Sequence, residues 1–487
     1  MFSVRKCDKK GDRYIFLTKF IRKMYLSPFL IIPAVSFLMS GCVVGPKYVR
    51  PSAPLPAVYK ENKDWKPAQP QDAIARGAWW KIFKDPRLDA LEEQVNISNQ
   101  NIAQAEAQYA ESYALVKASR SSFFPILTTN ASYTDAHPGA AKSKYATSTT
   151  LLNADVTWEV DLWGKIRRTI ESYGANAQAS SADLENARLS AHAQLAQAYF
   201  ELASLDEQKK TLDDTVDIYR KFYTLTQNRY TGGVASQADV IQAKTQLEAI
   251  TAQAIDIGVQ RAAIEHAIAV LIGKPASDFS IPSLSLTVQV PVVPAGLPSQ
   301  LLERRPDIAA AERTVASANA LIGVAESAYF PTLTLGASAS YESSSLSRLF
   351  TSPNPLWSLG PALAETIFDA GLRQAQKAQA KAVYDADVAA YRQTVLTAIA
   401  QVEDNLAALR ILEQEEHIQG QTVADAKKAF ELESNQYKAG TVSALDVITT
   451  QATSLNAQRT DLALLGQRLN ACVLLIQYLG GSWEEKR

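Results

Sequence analysis

From Leu152 to Leu162 the chain alternates without a break. Leu152, Ala154, Val156, Trp158, Val160 and Leu162 are apolar, and Asn153, Asp155, Thr157, Glu159 and Asp161 lie between them. Residues 332–341 repeat the pattern, with Leu333, Leu335, Ala337, Ala339 and Tyr341 set against Thr332, Thr334, Gly336, Ser338 and Ser340. A period of two places each set on one face of a β-strand. About ten residues is the length of a tilted strand crossing a bilayer, with lipid on one side and water on the other. A half-buried strand of a soluble sheet reads the same way. Elsewhere the chain predicts helices. The stretches 165–230 and 372–438 are rich in Ala, Gln, Glu, Lys and Leu, the composition of long helices. At 1.5 Å per residue the first would span roughly 90–100 Å. Its charges run throughout, so it is no membrane span. Shorter helices are expected over 85–121, 236–272, 305–328 and 443–479.

The elements come twice. Phe124-Pro125 returns as Phe330-Pro331, Glu106 as Glu312, and Gly164 as Gly371. The segment from Tyr230 through Gly233, Ser236 and Asp239 returns from Tyr437 through Gly440, Ser443 and Asp446. An offset near 206–207 residues holds throughout, so the fold is an internal duplication. Repeat 1 covers 85–273 and repeat 2 covers 305–480, each running helix, strand, polar loop, strand, long helix, turn, helix. The strand pairs fall at about 123–163 and 329–368. A Pro-rich linker, 274–304, joins the halves, and 481–487 form a tail. Four strands are too few to close a barrel, and in lipid an open edge leaves backbone groups unsatisfied. Pooling strands from two copies gives eight and a lumen filled by side chains; three copies give twelve and room for a channel.

Residues 1–42 read as an address label. Residues 1–23 carry Arg5, Lys6, Lys9, Lys10, Arg13, Lys19, Arg22 and Lys23, and an apolar run over 24–39 follows, broken by Pro28 and Pro33. That run is short for a membrane helix and suits a signal peptide; Met1 and Met24 are alternative starts. It ends Leu38-Met39-Ser40-Gly41-Cys42, which resembles a lipobox and makes Cys42 the site of a covalent lipid, with Met39 where Leu is usual. Residues 43–84 then form a lipidated N-terminal segment, and the six prolines within 43–76 predict an extended tether. The net charge of −1 excludes a polyanion binder, so no nucleic-acid partner is expected. Three cysteines and four scattered histidines offer no metal set, and no cofactor is expected. No nucleophile–base pair or Gly-rich phosphate loop points to an enzyme.

The duplicated plan resembles the TolC-like outer-membrane efflux factors. The linker from Val293 through Arg304-Arg305-Pro306-Asp307 to Ile308 is similar to the NodT-type lipoprotein branch, which serves pumps of the resistance-nodulation-division type. The resemblance covers the chain from Cys42 to about Gly480. It implies a mainly α fold with a membrane β-barrel: a homotrimer with a twelve-stranded barrel and a long periplasmic helical tunnel with an equatorial collar. It implies a passive exit duct for drugs or other small molecules. Its partners would be a periplasmic adaptor, an inner-membrane pump and outer-membrane lipid. The same architecture serves type I protein secretion, the alternative reading. By the same resemblance, Gly233, Val234, Ala235 and Ser236, with Gly440, Thr441, Val442 and Ser443, are adaptor-contacting turns, and Tyr437, Asp239 and Asp446 hold a periplasmic gate. Two positions depart from TolC itself. Val442 stands where it carries Arg, and Thr449 where it carries a second gate Asp. The residues alone leave another reading open, because Ser236 with Asp239 and Ser443 with Asp446 each have the spacing of a helix capping box. Arg305-Pro306-Asp307 likewise reads as a collar contact or as a helix start. A coiled-coil lipoprotein with no pore is the other class of function, and the alternating strands argue against it.

Cys42→Ala should abolish incorporation of labelled palmitate. Label retained in that variant would overturn the lipobox assignment.

Overall fold

The computed structural model describes residues 43–53, 77–136, 147–286, 288–291, 305–351 and 355–481. The proposed lipid site Cys42 and the signal peptide lie outside them. In chain order the elements are α1 (Pro86–Ser98), α2 (Gln100–Arg120), β1 (Ile126–Ala136), β2 (Thr147–Val160), α3 (Lys165–Thr231) and α4 (Gln237–Leu271). Then follow α5 (Pro306–Ser327), β3 (Thr332–Ser343), β4 (Pro355–Ala364), α6 (Leu372–Ala439) and α7 (Ala444–Tyr478). The long helices α3 and α6 have 67 and 68 residues. Among the described residues, no helix is long and apolar enough to cross a membrane.

The chain divides into two compact units. Among the described residues, one contains 43–48, 115–136, 147–173, 317–351 and 355–384. It is built on one antiparallel sheet in the order β1-β2-β3-β4. The register keeps the two faces apart. Ala131, Leu152 and Tyr341 align across three strands, as do Leu127, Val156, Ala337 and Leu359 across four. One residue over, Thr128, Asp155, Ser338 and Ser358 align on the opposite face, where the Ser338 and Ser358 hydroxyls lie 2.8 Å apart. A slip of one residue would mix the faces. β1 and β4 are the sheet's two edges, and all their residues are exposed. The aromatic start of β3 is locked by the residues after β2. The Trp163 ring stacks on Phe330 at 4.8 Å, and its indole N–H donates to the Pro331 carbonyl at 2.7 Å.

Residues 43–48 are packed, where the six prolines of 43–76 predicted an extended, unpacked tether. The Val44 amide donates to the Trp163 carbonyl at 3.0 Å. The buried Arg168 guanidinium donates to the carbonyls of Val44, Gly45 and Pro46 at 3.0–3.2 Å. Gly45, at φ +99°, lies so close to Gly323 that a Cβ on it would sit 2.4 Å from the Gly323 Cα. No composition signal reports such a fit. It comes from one buried fork of donors meeting three carbonyls of a chain that has no strand or helix to satisfy them.

The second unit contains Val49–Ala114, Gly174–Ala316 and Asp385–Arg487. Leu195, Phe200, Ile268, Ile272, Leu469 and Val473 build its main core from α3, α4 and α7, with Trp79, Phe83, Leu88 and Val95 set against them. Here the helix expected over 85–121 is two helices. Asn99 breaks it by capping the second: its side-chain oxygen accepts from the amides of Asn101 and Ile102, and its Nδ2 donates to the Leu271 carbonyl at 2.7 Å. A polar side chain that bonds its own backbone competes with the helix ladder. Of the two readings of Arg305-Pro306-Asp307, the structure shows the helix start. Pro306 opens α5, a position where its missing N–H costs nothing. Arg305, buried, donates to the Tyr478 carbonyl at 3.2 Å and to Gln401 at 2.9 Å.

One buried polar pair sits inside the apolar core. His192 stacks on Trp80 at 4.4 Å, with Nδ1 2.6 Å from the Glu92 carboxyl and Nε2 2.9 Å from Asn96 Oδ1. Burial, with Arg188 nearby, pulls the His192 pKa down to about 4. Burial, with Asp89 nearby, pushes Glu92 well above the usual carboxylate range. Both shifts favour a neutral pair, with the carboxyl donating to Nδ1 and Nε2–H donating to Asn96. Linkage sets the signs. Between about pH 4.5 and 6.5 the unfolded chain and the folded pair each hold one proton, on different groups. Below that window the unfolded chain binds one more. Above it the folded pair keeps a proton the unfolded chain has released. The pair therefore contributes most stability inside the window and less on either side. Glu92→Gln keeps a donor toward Nδ1 and should flatten the alkaline limb, so its melting temperature should fall less than wild type between pH 6.5 and 9. Thermal melts across pH check this.

Candidate functional site: the two helix turns

The turns that join α3 to α4 and α6 to α7 are built alike. In the first, the Val234 amide donates to the Arg229 carbonyl at 2.8 Å and the Gly233 amide to Tyr230 at 2.9 Å. In the second, the Thr441 amide donates to Gln436 at 3.1 Å and the Gly440 amide to Tyr437 at 3.0 Å. This nested pair of bonds is the Schellman ending, and its central residue must be left-handed. Gly233 and Gly440 take that place at φ +72° and +83°, where a side chain would be strained. The following helices start with full capping boxes. Ser236 accepts from the Asp239 amide at 3.1 Å, and the Asp239 carboxylate accepts from the Ser236 amide at 2.9 Å. Ser443 and Asp446 repeat this at 3.4 and 2.9 Å.

Asp239 and Asp446 therefore do cap helices, near the positive end of each dipole. Both are exposed. The Ser443 side chain and amide hold Asp446 below the usual carboxylate range. Val234 is 70% exposed, whereas Val442 packs partly against the core between the helices.

The duplication is broken at the tyrosines. Tyr230 is 40% exposed, while its counterpart Tyr437 is buried. The Tyr437 ring lies 5.1 Å from Phe222, and its hydroxyl is 3.2 Å from Thr226 Oγ1. The Arg229 guanidinium stands over the same ring at 4.6 Å and donates to the Tyr437 carbonyl at 2.9 Å. Cation–ring contact and hydrogen bond together tie the end of α3 to the end of α6. Among the described hydrogen bonds, none joins Tyr437 to Asp239 or Asp446. The structure brings Tyr437 together with Arg229, Thr226 and Phe222, and leaves the two acids on their own turns.

Arg229 is a residue the sequence reading missed. The signal was its place beside Tyr230, the copy of Tyr437. Arg229 brings a cation to Tyr437 from the end of the other long helix. A cleft of about 280 Å³ opens beside this cluster, lined by Tyr219, Phe222 and Leu225 of α3, Phe430 and Tyr437 of α6, and Ile448 and Gln451 of α7. No group of acids, histidines or cysteines among the described residues has the spacing to hold a metal.

Comparison with known proteins accounts for the duplicated plan. The model of the family described as "Outer membrane efflux protein" matches residues 91–274 and 297–481. The toluene efflux pump outer membrane protein TtgC of Pseudomonas putida is 30% identical over 472 residues, covering 94% of this chain and 96% of that protein. Nodulation protein T of Rhizobium leguminosarum bv. trifolii is 29% identical over 437 residues, covering 88% and 92%. The solved structure of the outer-membrane channel OprN superposes with a TM-score of 0.80 at 28% identity, over 91% of this chain and all of that one. The chain belongs to the outer membrane efflux protein family, with the fold of the TolC-like channels and a place in the outer membrane.

Proposed function

We propose that this protein is the passive exit duct of a tripartite efflux system, working as a homotrimer that passes drugs or other small molecules outward. The observation that carries the reading is the sheet. It has one apolar face and two fully exposed edges, and in hydrocarbon those edges must find partners. Twelve pooled strands leave a lumen; eight do not. A pump energised in the inner membrane would load the duct, and a periplasmic adaptor would seat on the turns at Gly233–Ser236 and Gly440–Ser443. The pairing with toluene export in a relative covering nearly the whole chain supports a small-molecule cargo. A covalent lipid on Cys42 would hold the N-terminus at the membrane, and residues 43–48 would carry that anchor directly to the end of β2.

At the turns, we assign two kinds of work. Arg229 and Tyr437 latch α3 to α6. Asp239 and Asp446 cap their helices, and in a trimer their carboxylates would also repeat around one axis, favouring cations at the narrow end. Adaptor binding would open the gate by parting the latch. In planar bilayers, Arg229→Ala should raise single-channel conductance. Asp239→Ser with Asp446→Ser should raise conductance too, and should weaken cation preference and divalent block. Wild-type conductance, selectivity and block in the double variant would leave the acids as caps alone.

A further inference from the structure

The cleft beside Tyr437 has the make-up of a ligand site. It lies wholly within the second unit, and three helices wall it: Tyr219 and Phe222 come from α3, Phe430 and Tyr437 from α6, and Ile448 from α7. A dry apolar cavity of roughly 150 Å³ is enough for benzene. At about 280 Å³, this one has room for two fused rings.

One polar group is left over in it. Gln451 lines the cleft at 3% exposure, and its side-chain Oε1 is buried with no hydrogen-bond partner in the chain. The two tyrosine hydroxyls of the walls are engaged. Tyr219 donates to the Ile448 carbonyl at 3.4 Å, and Tyr437 pairs with Thr226. A buried acceptor without a donor costs stability, and a leucine would fill the same place without that cost. Apolar walls with one placed polar group are the pattern of a small-molecule pocket. Lys221 and Lys438, both exposed, also line the cleft, and their charges disfavour a cationic guest.

We infer that this cleft binds an uncharged or anionic aromatic compound of about two rings, whose hydroxyl donates to Gln451 Oε1, and that the bound compound holds the turns closed. The closing action rests on the latch proposed above. Phe222 and Tyr437 are walls of the cleft and also neighbours in the latch, with their rings 5.1 Å apart. Parting α3 from α6 takes the walls apart. A ligand whose site exists in only one of two states shifts the balance toward that state. The compound would therefore oppose opening by an adaptor, from a place that none of the residues assigned to the turns occupies.

Isothermal titration of the full-length protein in matched detergent tests the site. The probes are 2-naphthol and naphthalene, which has the same rings and no donor. Leu225→Trp, which fills the cleft from α3, gives the background of uptake by detergent. The wild-type protein should prefer 2-naphthol to naphthalene roughly tenfold or more, since only the first pairs the acceptor. Gln451→Leu should lose that preference and still bind naphthalene. Without ligand it should melt no lower than wild type, because it removes an unpaired acceptor. Equal heats from 2-naphthol in wild type and Leu225→Trp, or a preference that survives in Gln451→Leu, overturn the site. Closure is read separately in planar bilayers. There 2-naphthol should lower the conductance of Arg229→Ala toward the wild-type value, and should not do so when Gln451→Leu is added. Binding without that drop overturns the closing action and leaves the site standing. Wild-type conductance in untreated Arg229→Ala overturns the latch instead, and the titration still decides the site.

Discussion

The rest of this protein depends on one constraint: backbone N–H and C=O groups in hydrocarbon must all be bonded. A helix meets it alone; a four-stranded sheet does not. β2 and β3 are satisfied on both sides, while β1 and β4 each offer a bare edge. An edge exposed to water is a liability that charges or bulges can blunt. An edge facing lipid has no such remedy and must be paired. In the proposed homotrimer, pooling strands between copies would meet that hydrogen-bond deficit. The apolar row on the same strands requires that the pairing also respect the face.

The duplication makes this arrangement economical in information. One helix–strand–strand–helix design, used twice, gives a joint between repeats and two edges that are copies of the two sides of that joint. The turns repeat too, down to the Schellman bonds and capping boxes. The two copies also differ. Tyr437 is buried under Arg229 where Tyr230 is exposed, and Trp163 stacks where Ala370 does not. Such departures from internal symmetry are where the two halves do different work, and the turn cluster is the place where a channel end could be held or released.

The polar groups inside the second unit show the same principle. Glu92 and His192 are bonded to one another in the core, and burial shifts each toward its neutral form. Asp206 accepts from Arg261 at 2.7 Å and from the Leu284 amide at 2.9 Å, which fixes the start of the linker to α3. The Pro-rich strands of chain that carry no regular structure are thus held by buried side chains rather than by ladders.

The sequence by itself determined the repeat, the element order, the alternating strands, the long helices and both capping boxes, because each follows from spacing along the chain. Period two, period 3.6 and a Ser three residues before an Asp are local signals. It also placed Tyr437, Asp239 and Asp446 at the turns. Tertiary structure alone decided which of them meet. Tyr437 pairs with Arg229, 208 residues away, and the two aspartates do not reach it. It decided that residues 43–48 are stitched down by Arg168, over a sequence separation of 122–124 residues. It decided that Asn99 ends a helix, since the Leu271 carbonyl it bonds comes from another element. Contacts of this kind leave no periodic trace, because the partner's position depends on how helices pack and not on the residues beside it.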